Sequence, residues 1–311
     1  MRKNVSGKHS AHPHTAVVKP TAQIDKKEGG PVGRSNLYKV IVILCVVVFI
    51  LVAIVLGVFL HNRQMVREEY EALQETVRRE PLPTVEALST VEPLPAVEPE
   101  PAATPRVFVD PTPVPVEIPV DLSYLQSLNS DVIGWIWIEG TGIDYPVLYD
   151  DTDNSYYIDH TRTGKYAKAG SIFVQDINEW DFSDFNTVLY GHNMGDGSMF
   201  AHLHRFEKES FFNDYDTVVV YTEDSVLTYK IFAAYVRDNE HLMKYYSYDT
   251  KADREAYIDD IYSHDGLYRD DVDVTADDRI ISLSTCTGWT YTRLVVQGVL
   301  ISEEPGIYVS D

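Results

Sequence analysis

The chain has 311 residues, 44% of them hydrophobic, 24% charged and 12% aromatic, a globular composition that excludes disorder throughout. A formal net charge of −22 excludes nucleic acid as a partner, because phosphate binding needs clustered Lys and Arg. Two cysteines, Cys45 and Cys286, are too few for a disulfide framework.

Charge is segregated along the chain. Residues 1–39 hold eight basic and two acidic residues, whereas residues 121–311 hold 13 basic and 35 acidic ones. The two ends are therefore suited to different surroundings. Between them, Val40 to Leu60 is a run of 21 residues without a charge, enough to cross a ~30 Å hydrocarbon core as a helix. No small-x-small cleavage site follows it, so it reads as an uncleaved anchor rather than a signal peptide. With the basic segment before the span, the positive-inside rule predicts a cytoplasmic tail over 1–39 and an extracellular chain from residue 61. Cys45 falls inside the span, as a small apolar residue.

Residues 61–80 are charged and suit a short helix leaving the membrane. Residues 81–120 carry 11 of the 16 prolines, which prevent regular helix or sheet. Residues 61–120 thus read as a charged, then Pro/Glu-rich extracellular stalk, its proline-rich part reaching on the order of 100 Å.

From Asp121 prolines become rare, and residues 121–311 suit one domain, mainly β. Strands are predicted over 132–138, 143–148, 170–175, 187–190, 217–221, 226–236, 279–284 and 293–301. Eight short strands rich in Val, Ile, Tyr and Phe predict a small closed barrel. Helical patterns cover 122–128, 198–203 and 252–263, the last with Tyr257, Ile258, Ile261 and Tyr262 on one face.

Cys286 is the one cysteine after the span, and it ends the apolar strand Arg279-Ile-Ile-Ser-Leu-Ser-Thr-Cys286. From position alone it is a nucleophilic thiol, an inert buried one, or half of an intermolecular disulfide. His192 follows another apolar strand, in Tyr190-Gly-His192, and Arg293 opens the strand after Cys286. If those last two strands are antiparallel neighbours, the guanidinium lies within reach of the thiol. Ser284 and Tyr190 flank the two motifs. His202-Leu-His204 invites a metal reading, but i, i+2 residues on a helix point to nearly opposite sides. The acidic runs at 270–273 and 277–278 read as solvated loops rather than Ca²⁺ sites. No metal or cofactor is called for.

Ser282-Leu-Ser-Thr-Cys286 followed by Arg293, with Tyr190-Gly-His192 upstream, resembles the signature of sortases, and more closely that of class B. Further stretches are similar to that class: Asn129-Ser-Asp-Val-Ile-Gly-Trp135, Thr141-Gly-Ile-Asp-Tyr-Pro146, Asp153-Asn-Ser-Tyr-Tyr157, Gly170-Ser-Ile-Phe173, Gly191-His192-Asn-Met194 and Gly197-Ser-Met-Phe200. The resemblance covers roughly residues 121–301. It implies an eight-stranded barrel with N-terminal helices and a helix between strands six and seven. It also implies a cysteine transpeptidase outside a Gram-positive cell, anchored in the cell membrane. Cys286 would then cleave a C-terminal sorting motif of secreted proteins through a thioester. His192 would act as acid and base, Arg293 would support the oxyanion, and Ser284 and Tyr190 would contact substrate. The implied acceptor is an amine of peptidoglycan precursor. A pilin lysine, water, or an inactive tethered binding module are the alternatives. Ser282 stands where the class usually has threonine, and the Cys286–Arg293 spacing is short for it.

Overall fold

Side chains branched at Cβ, or carrying a flat ring, fit a pleated surface better than a helix. Such residues crowd the segments after Asp121. The computed structural model describes residues 33–78, 115–153, 155–239, 242, 247–288 and 291–308. Its strands are β1 (Val116–Glu117), β2 (Val132–Ile138), β3 (Asp144–Leu148), β4 (Ile172–Val174), β5 (Asn186–Tyr190), β6 (Thr217–Tyr221), β7 (Ser225–Asp238), β8 (Gly266–Tyr268), β9 (Ile280–Cys286) and β10 (Thr292–Ile307). The order β10-β9-β5-β4-β3-β2-β6-β7 closes on itself through a β10–β7 pairing. That ring is the predicted eight-stranded barrel. β1 and β8 are short additions at its edges.

The main apolar core of the barrel unit holds Trp135, Ile136, Val147, Leu189, Val220, Tyr229 and Leu283, among others. A second apolar cluster lies under helix α4 (Lys251–Ser263), where Tyr257, Ile258 and Ile261 pack on Phe232, Tyr235, Val295 and Val299. The predicted face is right except for Tyr262, which is 42% exposed. At i+5 from Tyr257 it has turned about 140° around the axis. Thr250 and Asp253 close a capping box that starts α4. As predicted, α4 lies between the sixth and seventh barrel strands, β7 and β9. Helix α2 (Leu122–Leu128) leads into β2. The helical pattern at 198–203 is a 3₁₀ helix over Phe200–Glu207, followed by helix α3 (Glu209–Asp214).

Helix α1 runs over Gly33–Val77. Two compact units divide within it: one ends at Leu56 and the other begins at Gly57. In the first unit every described side chain is exposed, and the helix is long and apolar enough to cross a membrane. The second unit holds the last turns of α1 with the barrel. Tyr70, Leu73 and Val77 are buried in the barrel unit's core. Tyr70 Oη lies 3.1 Å from Ser171 Oγ, and Gln74 Nε2 donates to Asp144 O at 2.6 Å.

This packing bears on residues 61–78, the first part of the stalk expected over 61–120. Residues 66, 70, 73 and 77 form an apolar stripe, so this stretch docks instead of leaving as a charged spacer. Arg78 then bridges to Val120, and Asp121 N–H donates to Val77 O at 3.2 Å. The two flanks of the proline-rich segment are thus side by side. Residues 79–114 themselves, and the tail over 1–32, lie outside the described residues.

Candidate active site

β9 and β10 are antiparallel neighbours, and their register places Arg293 opposite Cys286. The arginine Nη1 is 3.9 Å from Cys286 Sγ. Its Nε–H donates to Ser284 Oγ at 2.7 Å, and its guanidinium carbon lies 5.1 Å from the Tyr190 ring centroid. Three contacts fix the plane of one guanidinium beside a half-buried free thiol.

β5 runs parallel to β9 with Tyr190 opposite Ser284. The pairing continues past the strand end: Gly191 N–H donates to Ser284 O at 3.3 Å, and Thr285 Oγ1 donates to Gly191 O at 2.8 Å. That carries His192 along the Cys286 end of β9. Gly191 is required by close approach, since a Cβ there would stand 2.5 Å from Ile172 Cδ1 and 2.7 Å from Phe200 Cγ. His192 Nε2 lies 2.7 Å from Ile158 O. A carbonyl only accepts, so Nε2 carries a proton and Nδ1 is the nitrogen free to take a second.

The five sequence-predicted residues are therefore gathered at one rim, with different surroundings. Cys286, His192 and Arg293 are partly exposed. Ser284 is 0% exposed, so its hydroxyl serves Arg293 and does not line an open surface. Tyr190 is partly covered, and burial pushes its phenol up to about 12, against a smaller pull from Arg293. It stays neutral at physiological pH. Below the rim, Ser282 Oγ donates to Asn186 Oδ1 at 2.6 Å and accepts from Gln297 Nε2 at 2.7 Å. Serine thus supplies the buried hydroxyl that β9 needs between β5 and β10, in place of the usual threonine.

His202 and His204 have separate partners. His202 Nδ1 accepts from Gly142 N–H at 2.7 Å, and burial lowers its pKa. His204 lies between Glu207 and the Cys286 carbonyl. Among the described residues no three His, Cys, Asp or Glu side chains are grouped to hold a metal ion. In the acidic runs, Asp271 pairs with Lys230 and Asp277 with Lys251. Sequence reasoning gave no role to Ile158, Asn193, His204 or Glu207 at this rim. Asn193 stands in the quoted Gly-His-Asn-Met stretch, which was its one signal.

The sortase domain profile matches residues 136–301, more than half of the chain. A sortase B of Listeria monocytogenes is 37% identical over 193 residues, covering 60% of this chain and 76% of the relative. A crystal structure of Clostridium perfringens sortase B superposes with a TM-score of 0.55 at 35% identity, covering 58% of this chain and all of that one. A Staphylococcus aureus sortase B–substrate complex gives a TM-score of 0.53 at 31% identity, covering 58% and 84%. On the family profile, the identity and the closed barrel together, this chain belongs to the sortase family of transpeptidases and, within it, to class B.

Proposed function

We propose that Cys286 is the nucleophile of a membrane-anchored transpeptidase. It cleaves a C-terminal sorting motif of secreted proteins outside the cell and passes the acyl group to an amine of peptidoglycan precursor. The observation that carries this reading is the register of β9 against β10, which sets the Arg293 guanidinium 3.9 Å from the Cys286 sulfur. The parallel β5 brings His192 to the same end.

In this reading the Cys286 thiolate attacks the scissile carbonyl, and Arg293 donates hydrogen bonds to the oxyanion that forms. A backbone N–H beside Cys286 is the second donor. As the C–N bond breaks, protonated His192 gives its proton to the leaving amine. The neutral imidazole then takes a proton from the incoming amine, which attacks the thioester and releases the thiolate. Ile158 O holds Nε2–H of His192, so Nδ1 is the nitrogen that gains and loses the proton. Ser284 fixes Arg293 from beneath, and Tyr190 offers its ring to the guanidinium and its edge to substrate. The apolar first unit of α1 spans the membrane, with the basic segment 1–39 in the cytoplasm and the barrel outside.

The test uses the full chain in detergent micelles beside its Cys286→Ala variant. Each is incubated with quenched peptides of the Asn-Pro-x-Thr-Asn and Pro-Pro-x-Thr-Gly kinds, with and without an amine acceptor, and products are weighed by mass spectrometry. An amine adduct of one peptide, absent with Cys286→Ala, supports the reading. Cleavage without amine capture points to a hydrolase, and no Cys286-dependent product overturns it.

A further inference from the structure

We infer that Asn193, His204 and Glu207 form a clamp on the carbonyl of Cys286, which positions the nucleophile from its backbone side. Asn193 Nδ2 donates to Cys286 O at 2.9 Å. His204 Nε2 lies 3.0 Å from that oxygen and 3.0 Å from Asn193 Nδ2. On the far side of the ring, His204 Nδ1 is 2.7 Å from Glu207 Oε2. The carboxylate accepts, so Nδ1 carries a proton and the ring orientation is fixed.

The clamp works in either protonation state of His204. In the neutral ring Asn193 Nδ2 is the one donor of the three, shared between His204 Nε2 and the Cys286 carbonyl, which lie 3.0 Å apart. In the imidazolium Nε2–H itself donates to the carbonyl. Both states leave Cys286 O with a donor from this cluster. The carbonyl belongs to the same planar peptide as the N–H of residue 287. Fixing the oxygen therefore fixes the direction of that N–H and the path of the chain out of Cys286. Arg293 and Ser284 hold the side-chain face of the same residue. Cys286 is thus gripped from two sides, by Arg293 of β10 braced on Ser284 of β9, and by groups from the segment 193–207. The 3₁₀ winding of Phe200–Glu207 places residues three apart in line, and this puts Glu207 behind His204. His204, Glu207 and Asn193 are positioning residues here, since they act through Cys286.

This inference rests on Cys286 being the nucleophile, so its test reads the thiol with and without a peptide. The probe is iodoacetamide on the full chain, with alkylation of Cys286 followed by peptide mass so that Cys45 is counted separately. His204→Ala and Asn193→Ala are each expected to alkylate at least about three-fold more slowly than wild type, because the loosened peptide lets Sγ leave the guanidinium. With a cleaved peptide, kcat falls roughly 10- to 100-fold while KM stays within two-fold. His204→Gln, whose amide reaches the same carbonyl, restores most of both rates. Asn193 is exposed, so its variant keeps the fold in question out of the result. Alkylation and kcat within two-fold of wild type in both alanine variants overturn the clamp. So does a loss confined to His204→Ala that follows its melting temperature and is not rescued by glutamine. A wild-type chain that alkylates but cleaves no peptide overturns the transpeptidase reading instead, and the clamp is still decided by the alkylation rates.

Discussion

Arg293 joins a thiol, a buried hydroxyl and an aromatic ring through one planar group, and a lysine reproduces none of that geometry. Arg293→Lys keeps the charge but loses the fork. We expect kcat to drop about 100-fold with a small change in KM, since one oxyanion donor is worth on the order of 10²–10³. Steady-state kinetics on a cleaved peptide checks it, and an unchanged kcat removes Arg293 from the oxyanion role. Ser284→Ala releases Nε without touching the thiol. Its expected loss is smaller, about ten-fold, as befits a support one bond away. The meeting of Cys286, His192 and Arg293 at one rim was expected from the motifs that resemble sortases, whereas their places at the ends of apolar strands left each open on its own. Asn193 and His204 were not expected there. Their shared partner is a backbone carbonyl 93 and 82 positions away, and nothing in the sequence marks a particular carbonyl as held. His204 instead drew attention for its neighbour His202, which points to Gly142.

Strands and α4 were readable from β-branching and apolar spacing, but the docked end of α1 was hidden by its charges. Residues 61–80 carry four basic and five acidic side chains, and these outweigh the stripe formed by Val66, Tyr70, Leu73 and Val77. A helix needs only about a 100° apolar face to dock. The pairing that ends this helix makes a prediction. Arg78 Nη2 contacts Asp144 Oδ1, which also accepts from Trp135 Nε1 at 2.6 Å. Burial holds the Asp144 carboxyl above its ordinary value of 3.8, with Arg78 and Trp135 pulling it back down. A carboxyl raised on folding binds its proton more tightly in the native state. Its contribution is therefore full below the unfolded value and falls as pH rises through the folded one. Arg78→Met removes a downward pull, raises that carboxyl further and deepens the loss. The pair is mostly buried, so stability should fall by about 3 kcal/mol at pH 7 and clearly less at pH 4. Urea unfolding at the two pH values decides it, and an equal loss at both shows that packing, not charge, holds the helix end.

The whole chain separates into an exposed apolar helix up to Leu56 and a barrel unit from Gly57. The sequence alone placed the start of the folded domain at residue 121, because proline and charge fill the stretch before it. The buried Tyr70, Leu73 and Val77 place it more than forty residues earlier. Two shortened chains separate these boundaries, one beginning at Gly57 and one at Val116. Covering three such side chains contributes about 5 kcal/mol, from roughly 2 kcal/mol for each fully buried one less part of the ordering cost. For a chain of this size each kcal/mol moves the melting temperature by about 2–4 °C. The chain from Gly57 should therefore melt in one transition at least ~10 °C above the chain from Val116. The shorter chain should also expose apolar surface beside β3 and bind a hydrophobic dye, because it lacks Tyr70, whose ring packs edge-on against Tyr145 of β3. Equal melting temperatures would mean that the helix rests on the barrel without holding it. In that case the fold begins where the prolines end, and residues 57–77 serve to orient the barrel instead of completing it.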